Sequence, residues 1–111
     1  MKRFPSIKKN KDFQIAYKNG KSHATGALVM YIIENNLSYN RIGISCSKKI
    51  GNSVVRHTFA RKMREIFRLN DHKIKKGLDI IVVIRFKANY CDYSQLDLQF
   101  NNLLDRHHIL L

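Results

Sequence analysis

The segment LDIIVVIRF, at residues 78–86, is the feature that most constrains the fold of this chain. Its apolar residues follow one another without the polar alternation of a strand that has one solvent face. The β-branched Ile and Val residues favour extended backbone. The segment therefore predicts a central strand of a sheet that is covered on both faces.

A helix and a second strand are predicted before this segment. The helix spans about residues 9–19, with Ser6 or Asn10 as its N-cap and Gly20 as its C-terminal end. The apolar run LVMYII predicts a strand over residues 28–33.

The remaining segments predict a mixed sheet with helices packed on it. RIGISCS (41–47) alternates apolar with smaller or polar residues, which predicts a hairpin partner with one covered face. Ser94 and Asp97 predict the cap of a last helix, whose apolar face is Leu96, Phe100, Leu103 and Leu104. A helix over about 54–69 completes the order α, β, β, α, β, α, with room for a short extra strand at 21–25. The 111 residues suffice for one domain.

The helix at 54–69 is amphipathic and follows the Gly51-Asn52 turn. Phe59, Met63, Ile66 and Phe67 share its apolar face, and His57, Arg61, Arg64 and Arg68 lie on the opposite face. Glu65 is spaced to hold the guanidinium groups of Arg61 and Arg68. A solvated surface helix is the ordinary interpretation of this pattern.

The charge of the chain favours a more specific interpretation. Lys and Arg number 21 against eight Asp and Glu, and residues 1–76 hold 18 of those bases and four of the acids. Such clustering indicates an anionic partner, and nucleic acid is the first candidate.

Composition also excludes several classes of protein. No apolar run approaches the about 18 residues of a membrane span, and the basic start MKRFPSIKKNKDF lacks the apolar core of a secretion signal. Cys46 and Cys91 stand far apart, which favours reduced thiols in the cytoplasm over a disulfide or a zinc site.

Catalytic signatures are nearly absent. The chain has no GxSxG, Walker or HExxH motif, and its acids are scattered. His107 and His108 predict a polar tail rather than a metal site, and His23 and His72 are expected in turns. His57, at the start of the basic helix, is better suited to capping or phosphate contact than to general-base catalysis. The chain alone does not resemble a complete enzyme.

Three aromatic residues leave two interpretations open. Phe13 and Tyr17 lie one turn apart on the first helix, and Tyr31 lies mid-strand. They either belong to the core or line a groove in which unpaired bases stack, a contact worth about 1–3 kcal/mol per base. The lysines expected to contact phosphates around such a groove are Lys8, Lys9, Lys11, Lys18, Lys48 and Lys49.

Nearly the whole chain resembles the protein subunit of bacterial ribonuclease P. The matching segments are KNKDFQIAYKNG (9–20), ALVMYII, RIGISCSKKIGNSVVR, the DIIVVIR strand and the last helix. The family signature, the RNR motif, usually has the form V-x-R-N-R-x-x-R-x-x-R-E. Arg56, Arg61, Arg64 and Glu65 keep its register.

Four positions depart from that signature. His57 and Thr58 stand where the family has Asn and Arg, Ala60 stands where Lys is usual, and Lys62 adds a charge at a position that is usually apolar. The two residues that give the motif its name are therefore absent from this chain.

The resemblance implies a fold and a function. The fold is an α-β-β-β-α-β-α sandwich with a mixed four-stranded sheet and a left-handed β-α-β crossover, like the second domain of ribosomal protein S5. Residues 1–111 would form one RNA-binding domain. Ribonuclease P removes the 5′ leader of precursor tRNA, and its catalytic centre belongs to a large RNA. The protein subunit would bind that RNA 1:1, with scope for weak dimerisation, and would raise the affinity for substrate and for magnesium held mainly by the RNA.

The resemblance also implies two sets of contact residues and no catalytic or metal-binding residue in the protein. Leader contacts are implied for Phe13, Tyr17, Tyr31, Ser45, Ser47 and Lys48. Contacts to the catalytic RNA are implied for Lys49, Asn52, Arg56, His57, Arg61, Lys62, Arg64 and Arg68. The alternatives are a general basic RNA-binding protein of ribosomal type and, less favoured by the sequence, a self-sufficient nuclease.

Overall fold

A computed structural model describes residues 5–111 of the chain. The elements in this range follow the predicted order, and the short extra strand is present. The helices are α1 (Asn10–Asn19), α2 (Ser53–Asn70) and α3 (Tyr93–Arg106). The strands are β1 (Lys21–Ala24), β2 (Leu28–Glu34), β3 (Arg41–Ser45) and β4 (Leu78–Ile84). Short 3-10 helices span Asp71–Lys73 and Phe86–Tyr90.

β4 is a central strand, as its apolar sequence predicted. The four strands are arranged in the order β1-β2-β4-β3, and β4 lies antiparallel to β2 and parallel to β3. Ile80 and Val82 belong to the main core on one face of the sheet, whereas Ile81 belongs to a smaller cluster on the other face. All three are fully buried, so the strand is covered on both faces.

The prediction that β3 pairs with β2 in a hairpin is wrong. β1 is the hairpin partner of β2, and β3 lies beyond β4, with Ile42 opposite Ile80. The connection from β3 to the parallel β4 therefore includes α2, since parallel neighbours need a crossover. The alternation of Ile42 and Ile44 correctly indicated a covered face. The alternation did not indicate which strand pairs with β3, because it shows only which side chains share a face of the sheet.

The helices cover the sheet unequally. α2 and α3 pack on one face, where the predicted apolar face of α3 is entirely buried. α1 packs on the other face through Ala16, beside Ile7 and Ile81. Tyr31, Ile33 and Val83 on that second face are only partly buried.

The N-terminal caps of two helices differ from the prediction. The N-cap of α1 is Lys9, whose side chain makes no capping bond, and Ser6 instead forms an isolated bridge with Ile42. α3 begins with a capping box of Asp92 and Gln95, two residues before the predicted start. The Asp92 carboxylate accepts from the Gln95 N–H, and the Gln95 side chain accepts from the Asp92 N–H, both at 2.8 Å. This reciprocal pair satisfies two otherwise unpaired backbone donors.

Two other predictions are confirmed within residues 5–111. Gly20 ends α1, and its N–H donates to the Ala16 carbonyl at 2.8 Å. Cys46 and Cys91 are both free thiols. No helix between residues 5 and 111 is both long and apolar enough to cross a membrane.

Candidate nucleic-acid interface

A cluster of partly buried side chains, here called the aromatic cleft, lies where α1 packs on the sheet. Its residues are Phe13 and Tyr17 from α1, Tyr31 from β2, Val83 from β4 and Ser45 from β3. Tyr17 meets Tyr31 edge-to-face with 5.0 Å between ring centroids, and the Phe13 ring lies 6.2 Å from that of Tyr17. The register pairs Ser45 with Val83, so both lie on the face that carries Tyr31. The Ser45–Val83 pairing could not be predicted from local sequence patterns, because it depends on the parallel register.

The three cleft aromatics are part of the core and also partly accessible to solvent, so both interpretations left open by the sequence hold in part. Phe13, Tyr17 and Tyr31 pack against the buried Ile7, Ala16 and Ile81, yet each ring is only half-buried. A Cβ at Gly43 would lie 3.0 Å from the Cζ of Phe13, so the glycine allows that ring to approach the sheet. One side of the group belongs to the core and the other side remains accessible.

A charged anchor holds α1 against the sheet. The Nε of Arg41 donates to Asp79 Oδ1 at 2.8 Å and its Nη2 donates to Oδ2 at 2.6 Å. The Nη1 of Arg41 lies 3.7 Å from the carboxylate of Asp12 in α1. The hydrogen bonds to Asp79 raise the pKa of Arg41. Sequence reasoning missed this anchor, because Arg41 and Asp79 become neighbours only through the β3–β4 register.

The turn before α2 links the cleft to the basic helix. Ser45 is half-buried at the end of β3, and Ser47, Lys48 and Lys49 are exposed in the following turn. The Asn52 side chain accepts from the Val55 N–H at 3.0 Å and so caps α2. Asn52 therefore has a structural role in addition to the predicted RNA contact.

α2 divides into the two predicted faces. Phe59, Met63, Ile66 and Phe67 are buried. His57, Arg61, Arg64 and Arg68 are exposed. The sequence pattern thus identified the solvent-accessible cationic face correctly.

Only one of the two predicted Glu65 contacts forms. Arg68 Nε donates to Glu65 Oε2 at 2.9 Å, and this pairing lowers the pKa of Glu65 and raises that of Arg68. Arg61 makes no ion pair with Glu65. Within residues 5–111, neither Arg61 nor Arg64 pairs with a carboxylate, so both present a full positive charge to the surroundings.

Arg56 and Lys62 are less accessible than the other cations of α2. Both are half-buried, and the Nε of Arg56 is buried without a hydrogen-bond partner. Burial raises the pKa of the Cys46 thiol, and the nearby charge of Arg56 opposes this shift. Lys62 Nζ lies 6.0 Å from the ring centroid of Phe59, within the range of a cation–π contact.

Two of the histidine predictions are wrong. His23 lies in β1 rather than in a turn, and its ring meets that of His107 edge-to-face at 4.6 Å. His107 is half-buried with its Nε2 3.0 Å from the Met30 carbonyl, so it is not part of a polar tail. His72 lies in a 3-10 helix. In the described part of the chain, no three His, Cys, Asp or Glu side chains converge to hold a metal ion.

Comparisons with known proteins agree on one family. The ribonuclease P family matches residues 1–108 of the chain. A ribonuclease P protein component from Lachnoclostridium phytofermentans is 48% identical over 105 residues, which cover 95% of this chain and 90% of that protein.

Solved structures give the same result. The ribonuclease P protein of Staphylococcus aureus superposes with a TM-score of 0.88 at 36% identity, covering 96% of this chain and 97% of that one. The Thermotoga maritima protein superposes with a TM-score of 0.84 at 33% identity, covering 91% and 96%. The chain therefore belongs to the ribonuclease P protein family, the auxiliary subunits that join a catalytic RNA in the ribonucleoprotein endoribonuclease of tRNA processing.

Proposed function

We propose that the protein binds the single-stranded 5′ leader of precursor tRNA in the aromatic cleft. The observation that carries this proposal is the half-buried group Phe13, Tyr17 and Tyr31, whose rings contact one another where α1 packs on the sheet. Stacking on such rings accepts any base, as an enzyme with many different precursors requires. Ser45, Ser47 and Lys48, at the end of β3 and in the turn after it, add polar and cationic contacts for the leader backbone.

The catalytic RNA is proposed to contact α2 and the turn before it. The residues on this side are Lys49, Asn52, Arg56, His57, Arg61, Lys62, Arg64 and Arg68. Arg61 and Arg64 are expected to contribute most, because they are exposed and no carboxylate in residues 5–111 neutralises them. Arg68 is expected to contribute less, since Glu65 already holds its guanidinium group.

The bond-breaking step is assigned to the RNA. The acids of the described chain are scattered, and several are engaged elsewhere: Asp79 binds Arg41, and Asp92 caps α3. These residues do not form a magnesium site. Magnesium is proposed to be held mainly by the RNA subunit. The protein would raise metal affinity indirectly, by binding the leader and the RNA in one assembly.

The proposed assembly contains one copy of the protein and one catalytic RNA. Residues 1–111 act as a single RNA-binding domain, in which the turn at 46–51 lies between the cleft and α2. This adjacency would allow leader and catalytic RNA to be bound side by side.

Cleavage of a precursor tRNA by the transcribed catalytic RNA, with and without the protein at low magnesium, tests the proposal. The protein is expected to stimulate cleavage. A lack of stimulation would favour a general RNA-binding protein, and cleavage by RNA-free protein would favour a self-sufficient nuclease.

Substitution of Tyr17 tests the cleft separately. Tyr17→Ala should weaken binding of leader-bearing precursor by about 1–3 kcal/mol while binding of mature tRNA is unchanged. Leu98→Ala, which removes a largely exposed apolar side chain from α3, is the control. Equal losses for precursor and mature tRNA would exclude leader binding in the cleft.

A further inference from the structure

An exposed aromatic pair lies outside the aromatic cleft. Phe86 and Tyr90, at the two ends of a 3-10 helix after β4, are 57% and 77% exposed. Their ring centroids are 6.1 Å apart and the rings meet edge-to-face. Single exposed apolar side chains are common on protein surfaces, but two aromatic rings in contact with each other form a larger apolar surface.

The pair lies at the end of the sheet where β3 ends in Ser45. β3 and β4 are parallel, so the turn after β3 and the 3-10 helix after β4 begin at the same end of the sheet. The two segments are joined directly, because Asn89 Nδ2 donates to the Ile50 carbonyl at 3.1 Å. Val83, in the cleft, lies only three residues before Phe86 along the chain.

Cations surround the pair. Arg85 and Lys87 are exposed on either side of Phe86, and Lys48 and Lys49 are exposed in the adjoining turn. The Nη1 of Arg85 donates to the Thr25 carbonyl at 2.8 Å, so Lys48, Lys49 and Lys87 are the cations that remain to contact phosphates. The acid that follows the 3-10 helix, Asp92, is engaged in capping α3.

Aromatic faces with interspersed cations are suited to single-stranded nucleic acid, in which bases stack and phosphates meet positive charge. A purely apolar partner would leave these cations unpaired, and a folded acidic protein would not need the two rings. We propose that Phe86 and Tyr90 form a second stacking platform, which binds leader nucleotides that extend beyond the cleft. This inference rests on the proposed binding of the leader in the cleft.

The test compares leader lengths in the assembled enzyme. Affinity is measured for precursors whose leaders end within the cleft and for precursors with about 5–10 further nucleotides. Phe86→Ala with Tyr90→Ala should weaken binding of the longer precursors by about five- to tenfold, the loss of one weak stacking contact, and leave the shorter ones unchanged. Leu98→Ala, at an exposed leucine on α3, is the control and should change neither.

Tyr17→Ala separates failure of this inference from failure of the proposed function. If Tyr17→Ala weakens binding at every leader length and the double variant changes nothing, the platform is excluded while the cleft stands. If Tyr17→Ala has no effect on any leader, the proposed leader site itself fails. Weaker binding of the catalytic RNA by the double variant would instead assign the pair to that RNA and overturn the inference.

A spectroscopic measurement detects the stacking directly. 2-Aminopurine placed in the leader beyond the cleft should be quenched on binding to the wild-type enzyme and should regain fluorescence with the double variant. Because both side chains are largely exposed, their removal should leave the folded structure intact, and thermal unfolding of the variant checks this. Equal fluorescence with the wild-type enzyme and a folded variant would refute the platform.

Discussion

Replacing Arg61 and Arg64 with Ala should flatten the salt dependence of binding to the catalytic RNA. Both side chains are exposed on α2, and neither pairs with a carboxylate within residues 5–111. Each is therefore available to replace a counterion on an RNA phosphate. Counterion release predicts that the slope of log affinity against log salt falls by about 0.7–0.9 for each arginine that contacts a phosphate.

The size of the affinity loss follows from the same relation. At about 0.1 M monovalent salt, a slope of 0.7–0.9 corresponds to a loss of about five- to eightfold per contact. The double variant should thus bind roughly 25- to 60-fold more weakly if the two contacts are independent. Arg68→Ala should have a smaller effect than either single variant, because Glu65 already neutralises part of that charge.

Filter binding of the protein to its transcribed RNA over a range of salt concentrations provides the measurement. Lys21→Ala with Lys75→Ala is the matched control, since both lysines are exposed outside α2 and neither pairs with a carboxylate within residues 5–111. An unchanged slope in the arginine variant would show that α2 does not contact phosphate. An equal decrease in the lysine control would show that net charge, rather than the position of the arginines, determines affinity.

Two further predictions concern the folded protein alone, and urea unfolding checks both. Asn52→Ala should lower the free energy of unfolding by about 1 kcal/mol through loss of the α2 cap, whereas Asn52→Ser should retain most of it; equal stability of the two variants would argue against the cap. Burial lowers the pKa of His107 below its ordinary 6.5, so the neutral ring stabilises the fold fully above pH 6.5 and this contribution declines as the pH falls further. His107→Gln should reduce the pH dependence in that range, and an unaltered pH profile would contradict the assignment.

Residue periodicity predicted the fold more accurately than the local patterns of helix caps did. The buried strand β4 and the division of α2 into apolar and cationic faces follow from periodicity, because a regular backbone converts residue spacing directly into direction. The caps of α1 and α3 were misplaced, since several polar residues near each helix start satisfy the same local pattern. For α3, Ser94 and Asp97 were predicted as the cap, whereas the structure forms it from Asp92 and Gln95.

The cleft was only partly predictable. Phe13 and Tyr17 were identified as neighbours by their helical spacing, but their contact with Tyr31 depends on how α1 packs against the sheet. Two other contacts join residues that are remote in the sequence. They are the hydrogen bonds of Arg41 to Asp79 and the ring contact of His23 with His107. Such pairs leave no local pattern, so sequence reasoning found neither.

The sequence by itself determined which side chains are cationic, which strand is central and which face of α2 meets solvent, because these properties depend on local composition and spacing. The tertiary structure decided that β3 lies beyond β4, that the α1 aromatics meet Tyr31, and that the turn at 46–51 adjoins the 3-10 helix of Phe86–Tyr90. The physical reason is that strand order and helix docking arise from burial of surfaces between distant segments. Those surfaces can be matched in several ways with the same local patterns, and only the packed molecule selects one.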